Sequence, residues 1–405
     1  MATDFLTTWR DNRPYFDTLQ VLASLSGLFA DGAVPYLDYR LAENVFCRFY
    51  EATNEARSCT AYDAKISDIG IGIKTFILKN GQSAEKIAEF NRLKPQLDPL
   101  SGIDLARKLG EFRNARIQVA DNMYGTGQRL YHIVGRGEGF LRIFNSSYDY
   151  VDLENIRLLR NDAHSFSFHD GLNEYFFNRS KSVLIKRFIV PEHDYLDVSV
   201  SILADPLPRL LEFFRSCRAE GTIIVPENAT SQVPATPSCS PPTVSYARGI
   251  DYVILPLYST RGREPVVPEK SGLNQWNAAG RPRDPNEVYI PIPRKIHQDF
   301  PDFFPPRDEH FTLILPNNTS LSAKVCQEGS KALMSTHNAD LGEWLLRQVL
   351  HKAEGELVTM DDLNRYGIDS VRIINRHMND ADGRRVYAIE FTTSDYENYS
   401  AFAEE

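Results

Sequence analysis

Three charged residues of this 405-residue chain stand where they could do chemistry together: Glu43, Asp63 and Lys74. Glu43 falls in LDYRLAENVFCRFY (37–50), Asp63 in SCTAYDAKI (58–66) and Lys74 in IGIGIKTFIL (69–78). Carboxylates hold hard divalent cations such as Mg²⁺, which keep several of their waters. A lysine beside them can orient a water and offset charge on a phosphodiester. The candidate chemistry is therefore metal-assisted attack of water on a phosphodiester. Asp63 would bind the metal, Glu43 would complete its cage and a lysine would face the anion.

The elements that must position these groups are legible around them. Leu37, Leu41, Val45, Phe46, Phe49 and Tyr50 recur at helical spacing, which predicts a helix over 37–50 that carries Glu43. Strands over 58–66 and 69–78 flank a Ser67-Asp68 turn. Strand alternation puts Asp63 and Lys65 on one face. Lys74 lies opposite Ile71 and Ile73 and shares its face with Gly70 and Gly72, which leave room for a backbone or a phosphate to approach. Helices are expected over 82–91 and 100–112, strands through 130–200, and a helix over 208–217. His164, His169 and Asp170 read as polar groups of a hairpin rather than metal ligands. Arginines and lysines scattered through 113–188 read equally as phosphate contacts or as a solvated face.

The stretch VPENATSQVPATPSCSPPTV (225–244) is too rich in Pro, Ser and Thr to bury much surface. It is read as a linker, giving units at 1–224 and 246–405 joined by 225–245. Beyond it, DYVILPLY, NEVYIPIP, HFTLILP and SLSAKVCQ read as short strands, followed by a helix at 341–351 and strands at 370–374 and 385–391. That pattern suggests a compact barrel-like β domain. Within it, KSGLNQWNAAGRPRDPNEVYIPIPRK (270–295) is locally basic, with Arg281, Arg283, Arg294 and Lys295 against Asp284 and Glu287. Asn, Gln and Arg are the side chains that read base edges in the major groove. Asn274, Gln275, Asn277, Arg281 and Arg283 together suit that task. The alternative is a polar loop closed by packing of Trp276.

Composition sets bounds. The formal net charge of −9 counts against a protein that simply coats nucleic acid, but does not exclude an enzyme with a local basic surface. The five cysteines are scattered with no CxxC pair, which speaks against a disulfide scaffold or structural zinc site and fits a reducing cytoplasm. No apolar run reaches the ~18 residues of a membrane span, and the first residues lack a secretory pattern.

The segment YDAKI…GIGIKTF, followed by EKIAEFN, resembles the PD-(D/E)XK restriction-endonuclease superfamily, over Glu43 to Asn91. The resemblance implies an α/β nuclease using Mg²⁺. It admits two alignments. In one, Asp63 and Lys74 are the acid and the lysine, Gly72 stands where the family has Asp or Glu, and Glu89 is the relocated acid. In the other, Asp63-Ala64-Lys65 is the DxK element, and Glu43 or Glu55 supplies the earlier acid. SGLNQWNAAGRPRDPNEVYIPIP, FPDFFPPRDEHFTLILP and SAKVCQEGSKALMSTHNADLGEWLL are similar to the B3-like DNA-recognition modules of several restriction endonucleases, over Gly249 to Phe391. That resemblance implies two arms gripping the major groove. The first is 274–286, with Trp276 and Asn286 added to the contacts above. The second is 329–338, with Lys331, Ser335 and Asn338. The phospholipase-D-type nuclease found with some such modules needs an HxK element, which this chain lacks. The implied protein is a type II restriction endonuclease. It would have an α/β (α+β) PD-(D/E)XK-like domain joined to a β-rich B3-like pseudobarrel and act on double-stranded DNA as a homodimer, with a cognate DNA methyltransferase as functional partner. A non-catalytic DNA-binding regulator with a degenerate nuclease fold is the alternative, and an RNA or modified-DNA nuclease a third.

Overall fold

The computed structural model describes residues 2–55, 60–162, 165–219, 251–259 and 264–393; the expected linker at 225–245 and His164 lie outside them. Three helices open the chain: α1 (Ala2–Thr8), α2 (Arg13–Ser24) and α3 (Tyr39–Phe49). Asp38 starts α3 by accepting from the amides of Arg40 (2.9 Å) and Leu41 (3.2 Å), a cap worth about 1 kcal/mol. α3 buries Ala42, Glu43, Val45, Phe46 and Cys47, so the helical spacing of the apolar residues carries Glu43 inward with them.

Strands β1 (Thr53–Asn54), β2 (Ala64–Ile66) and β3 (Ile69–Ile77) follow. The Ser67-Asp68 turn joins β2 to β3, with Ser67 at φ 55° and Ile66 opposite Ile69. β4 (Gln82–Glu89) is a strand, which corrects the helix expected over 82–91. Ala, Glu, Lys and Ile at helical spacing favour a helix locally, but pairing outweighs that preference. Asn80-Gly81, both at positive φ, reverse the chain in the manner of a hairpin turn. β4 then pairs with a later strand, Lys86 opposite Ile185 and Glu89 opposite Val183.

α4 (Lys94–Leu97) precedes α5 (Gly102–Tyr124), which runs 23 residues, well past the expected end at Phe112. β5 (Gln128–Gly137), β6 (Phe140–Ser147), β7 (Arg157–Asn161), β8 (Phe166–His169), β9 (Glu174–Asn178), β10 (Val183–Ile189), β11 (Tyr195–Ser199) and α6 (Leu207–Ala219) complete this half. One sheet runs β1-β2-β3-β5-β6-β11 and a second β4-β10-β9-β8-β7. β3 and β5 are parallel, and every other pair in these two sheets is antiparallel. Ile71 and Ile73 pack with Phe46 of α3 in one buried cluster, which fixes the helix over β3.

The C-terminal half holds β12 (Asp251–Pro256), β13 (Ile290–Pro291), α7 (Arg294–Asp299), β14 (His310–Ile314), β15 (Ser320–Cys326), β16 (Ala332–Ser335), α8 (Asp340–Gly342), α9 (Met360–Tyr366), β17 (Ser370–Asn379) and β18 (Arg385–Thr392). The helix expected over 341–351 begins as α8 and continues with π-type pairing over Glu343–Val349. The sheet order is β12-β17-β18-β14-β15-β16-β13, with β14 parallel to β18. One buried cluster includes Ile117, Ala120 and Met123 of α5 together with Leu345, Leu363 and Ile368 of this half. Arg92 pairs with buried Asp369 across the same junction. Among the described residues, no helix is long and apolar enough to cross a membrane.

The glycines of β3 do not leave an open approach. A Cβ at Gly70 would lie 2.6 Å from the Tyr62 ring, and one at Gly72 would lie 2.7 Å from the Tyr131 ring. Tyr131 is itself stacked on Tyr148 at 4.0 Å. Gly72→Ala should therefore destabilise the protein by about 1–3 kcal/mol, measured by urea unfolding; an unchanged midpoint would mean that the tyrosine pair yields without cost.

Candidate active site and nucleic-acid interface

The site forms where β2 stops pairing with β3. The Asp63 amide donates to the Ile71 carbonyl at 2.9 Å. The next outward amide of β3, that of Ile73, has no strand partner on that edge, and Asp63 Oδ2 accepts from it at 2.7 Å. A side chain thus stands in for the missing ladder partner. Lys74 Nζ lies 3.7 Å from the same Oδ2, and both side chains are about a quarter exposed (29% and 25%). Glu43 reaches the cluster from α3 and is buried. Burial first, then repulsion from the Asp63 carboxylate, pushes the Glu43 acid up to about 7, with Lys74 acting in the opposite direction. Two carboxylates and an ammonium therefore share one partly open place, and a divalent cation would relieve the repulsion between the acids.

The other residues named for catalysis go elsewhere. Lys65 is buried, and its ammonium donates to the Tyr124 carbonyl at 2.5 Å. Asp63 precedes β2, so its carboxylate turns to the strand edge while Lys65 points away from it; their expected common use is corrected. Glu55 is buried near Lys65, and burial followed by the Glu390 carboxylate pushes it up to about 7. Glu89 lies on β4, where it accepts from Lys86 at 2.5 Å and from Asn91, and it is not among the charges acting on Glu43. The position that an acid would take at 72 is closed by Tyr131. Among the described residues, no group of three or more His, Cys, Asp or Glu side chains could hold a metal. Asp170 is spent on backbone amides, including Asn173 at 2.6 Å.

Most basic residues of 113–188 are engaged internally. Arg113 is buried against Tyr131 and Tyr148, Lys186 donates to the Ser147 carbonyl at 2.8 Å, and Arg187 pairs with Glu174 at 2.5 Å.

The two expected arms converge. Ile290 pairs with Leu333 and Pro291 with Ala332 in antiparallel register, so the strand that follows the first arm pairs within the second. Buried Glu287 organises that arm: Arg281 donates to both its oxygens (2.7 and 2.9 Å), and Arg283 lies 3.2 Å from Oε1. Arg283 also donates to the Ala278 carbonyl at 2.7 Å, and in its satisfied amide orientation Gln275 accepts from Arg283 at 3.2 Å. In the sequence Glu287 counted only as an opposing charge, although an acid between two arginines and a strand signals such an anchor.

Asn274 is fully buried, its amide bonded to Pro268 and Val358 carbonyls and to the Val358 amide. Ser335 is buried and bonded to the His337 carbonyl and the Leu341 amide. Neither can read bases in this conformation, which corrects both expectations. Trp276 packs partly buried against the core, and Asn286 bridges Glu343 and Arg347. Asn277, Arg281, Lys331 and Asn338 are exposed.

Residues 253–377 match the NgoFVII C-terminal B3-like DNA-binding domain. This segment contains both arms and most of the seven-stranded sheet. It is similar to the DNA-binding part of a restriction enzyme, which supports double-stranded DNA as a partner. No curated protein matches the chain.

The raised Glu43 acid has a pH signature. The folded state keeps a proton that the unfolded chain releases above about 4.5, so this contribution to stability is present at low pH and lost as pH rises toward 7. In EDTA, between pH 5 and pH 8, wild type should lose about 1–3 kcal/mol more stability than Glu43→Gln. Urea unfolding at the two pH values checks this, and equal losses would remove the burial of a charged Glu43.

Proposed function

We propose that the chain is a Mg²⁺-dependent type II restriction endonuclease that cleaves double-stranded DNA. Residues 1–224 are read as a PD-(D/E)XK-like nuclease, 225–245 as a linker and 246–405 as the DNA reader. The carrying observation is the Glu43–Asp63–Lys74 cluster in a chain whose later part matches a restriction-enzyme DNA-binding domain.

Glu43 and Asp63 suit Mg²⁺ because both offer hard oxygens and such an ion needs only one or two carboxylates beside water and phosphate. When bound, the ion would supply Lewis acidity and charge neutralisation at the scissile phosphate. Ile73 holds Asp63 through Oδ2, leaving Oδ1 outside that bond. Lys74 places its three donors beside Asp63, where they orient water and offset phosphate charge. In-line attack then leaves a 5′-phosphate and a 3′-hydroxyl. Asn277, Arg281, Lys331 and Asn338 are the exposed arm residues assigned to DNA. Cutting two strands calls for two sites, hence a homodimer. A cognate DNA methyltransferase would protect the host's own sites, in a cytoplasmic setting.

The closing of position 72 by Tyr131 favours a second reading, a non-catalytic DNA-binding regulator. Plasmid DNA incubated with Mg²⁺ or EDTA separates the two. Discrete metal-dependent fragments, lost in Asp63→Ala with binding intact, are expected; plasmid that is retarded but never cut would establish the regulator. Asn277→Ala and Asn338→Ala should each weaken retention by about 1–3 kcal/mol per lost base contact. Unchanged retention in both would move the reading surface away from the arms.

A further inference from the structure

We infer that the last turn of α5 couples the DNA-reading half, through its 343–349 helix, to Asp63, with Tyr62 and Lys65 as positioning residues. The inference rests on the nuclease reading above. The two residues that bracket Asp63-Ala64 both end on this turn. The Tyr62 hydroxyl donates to the Asp121 carboxylate, and Lys65 Nζ donates to the Tyr124 carbonyl at 2.5 Å. Tyr62 is 1% and Lys65 9% exposed, so both anchors are made away from water, where an unmade bond is costly.

Asp121 is itself fixed. It accepts from Thr126 at 2.9 Å, Arg129 at 2.7 Å and Tyr150 at 2.8 Å. The backbone around Asp63 is held from its other side as well, because the Glu55 amide donates to the Asp63 carbonyl at 2.9 Å. Asp63 therefore cannot move independently of the α5 terminus.

The same turn is bolted to the reading half. Asn122 Nδ2 lies 3.4 Å from the Val349 carbonyl, and Met123 and Tyr124 share a buried cluster with Leu345 and Val349. One helical turn thus touches the reading half on one side and grips both flanks of Asp63 on the other. Packed interfaces shift between discrete arrangements rather than deform smoothly. A rearrangement of the reading half on DNA would be delivered to Tyr62 and Lys65, and through them to the Asp63–Ile73 bond.

The test uses the full-length chain, plasmid DNA and two variants, Lys65→Met and Tyr62→Phe. In EDTA, amide exchange over residues 60–66 should slow at least threefold when plasmid binds wild type. In either variant the α5 terminus should still respond while 60–66 no longer does. With Mg²⁺, kcat should fall at least a hundredfold, with KM for plasmid within threefold of wild type. Tyr62→Phe keeps the ring over Gly70, so it serves if Lys65→Met fails to fold. Exchange over 60–66 that ignores plasmid in wild type would overturn the coupling, as would wild-type kcat in both variants. If wild type cuts nothing with any divalent cation, the nuclease reading fails, and the exchange response still decides the coupling.

Discussion

The hydrogen bond from the Ile73 amide to Asp63 Oδ2 is the constraint on which the candidate site depends. It exists because β2 ends its pairing at Ile71 and leaves the edge of β3 open. An unpaired amide at a strand edge needs an acceptor, and a carboxylate supplies one. The same geometry sets Asp63 beside Lys74 and under α3, where Glu43 is buried. Edge completion and assembly of the acidic cluster are one event.

The reading half follows the same logic with opposite charges. Buried Glu287 is a costly group unless paired, and Arg281 and Arg283 meet that need. The pairing folds the first arm, and the register of β13 with β16 brings the second arm alongside. Part of the local positive charge is thereby consumed internally. Asn277 and Asn338 stay exposed on the arms.

Much of this was legible in the sequence where one local rule dominated. The spacing of Leu41, Val45, Phe46 and Phe49 gave the helix that buries Glu43, and Ser67-Asp68 gave the β2–β3 turn. Most strands of the C-terminal half were readable as short runs between turns, but β16 (Ala332–Ser335) was not, and the matched span 253–377 falls within the resemblance over Gly249 to Phe391. What failed depended on long-range partners. Residues 82–89 look helical until β10 pairs with them. The glycines of β3 look like open space until Tyr62 from the adjoining segment, and Tyr131 and Tyr148 from distant ones, cover them. Lys65 and Asp63 look equivalent by alternation, yet the strand begins between them and sends their charges to different places. Asn274 and Ser335 look like readers because their chemistry suits bases, while burial alone decides that they serve the loop.

The most direct test of the central claim is anomalous diffraction from crystals soaked in Mn²⁺, a stand-in for Mg²⁺ with the same preference for oxygen ligands. Wild-type crystals should show a peak beside the Glu43 and Asp63 carboxylates, absent from crystals of Asp63→Ala. A well-ordered site with no peak at saturating Mn²⁺, or a peak held only by other residues, would contradict it.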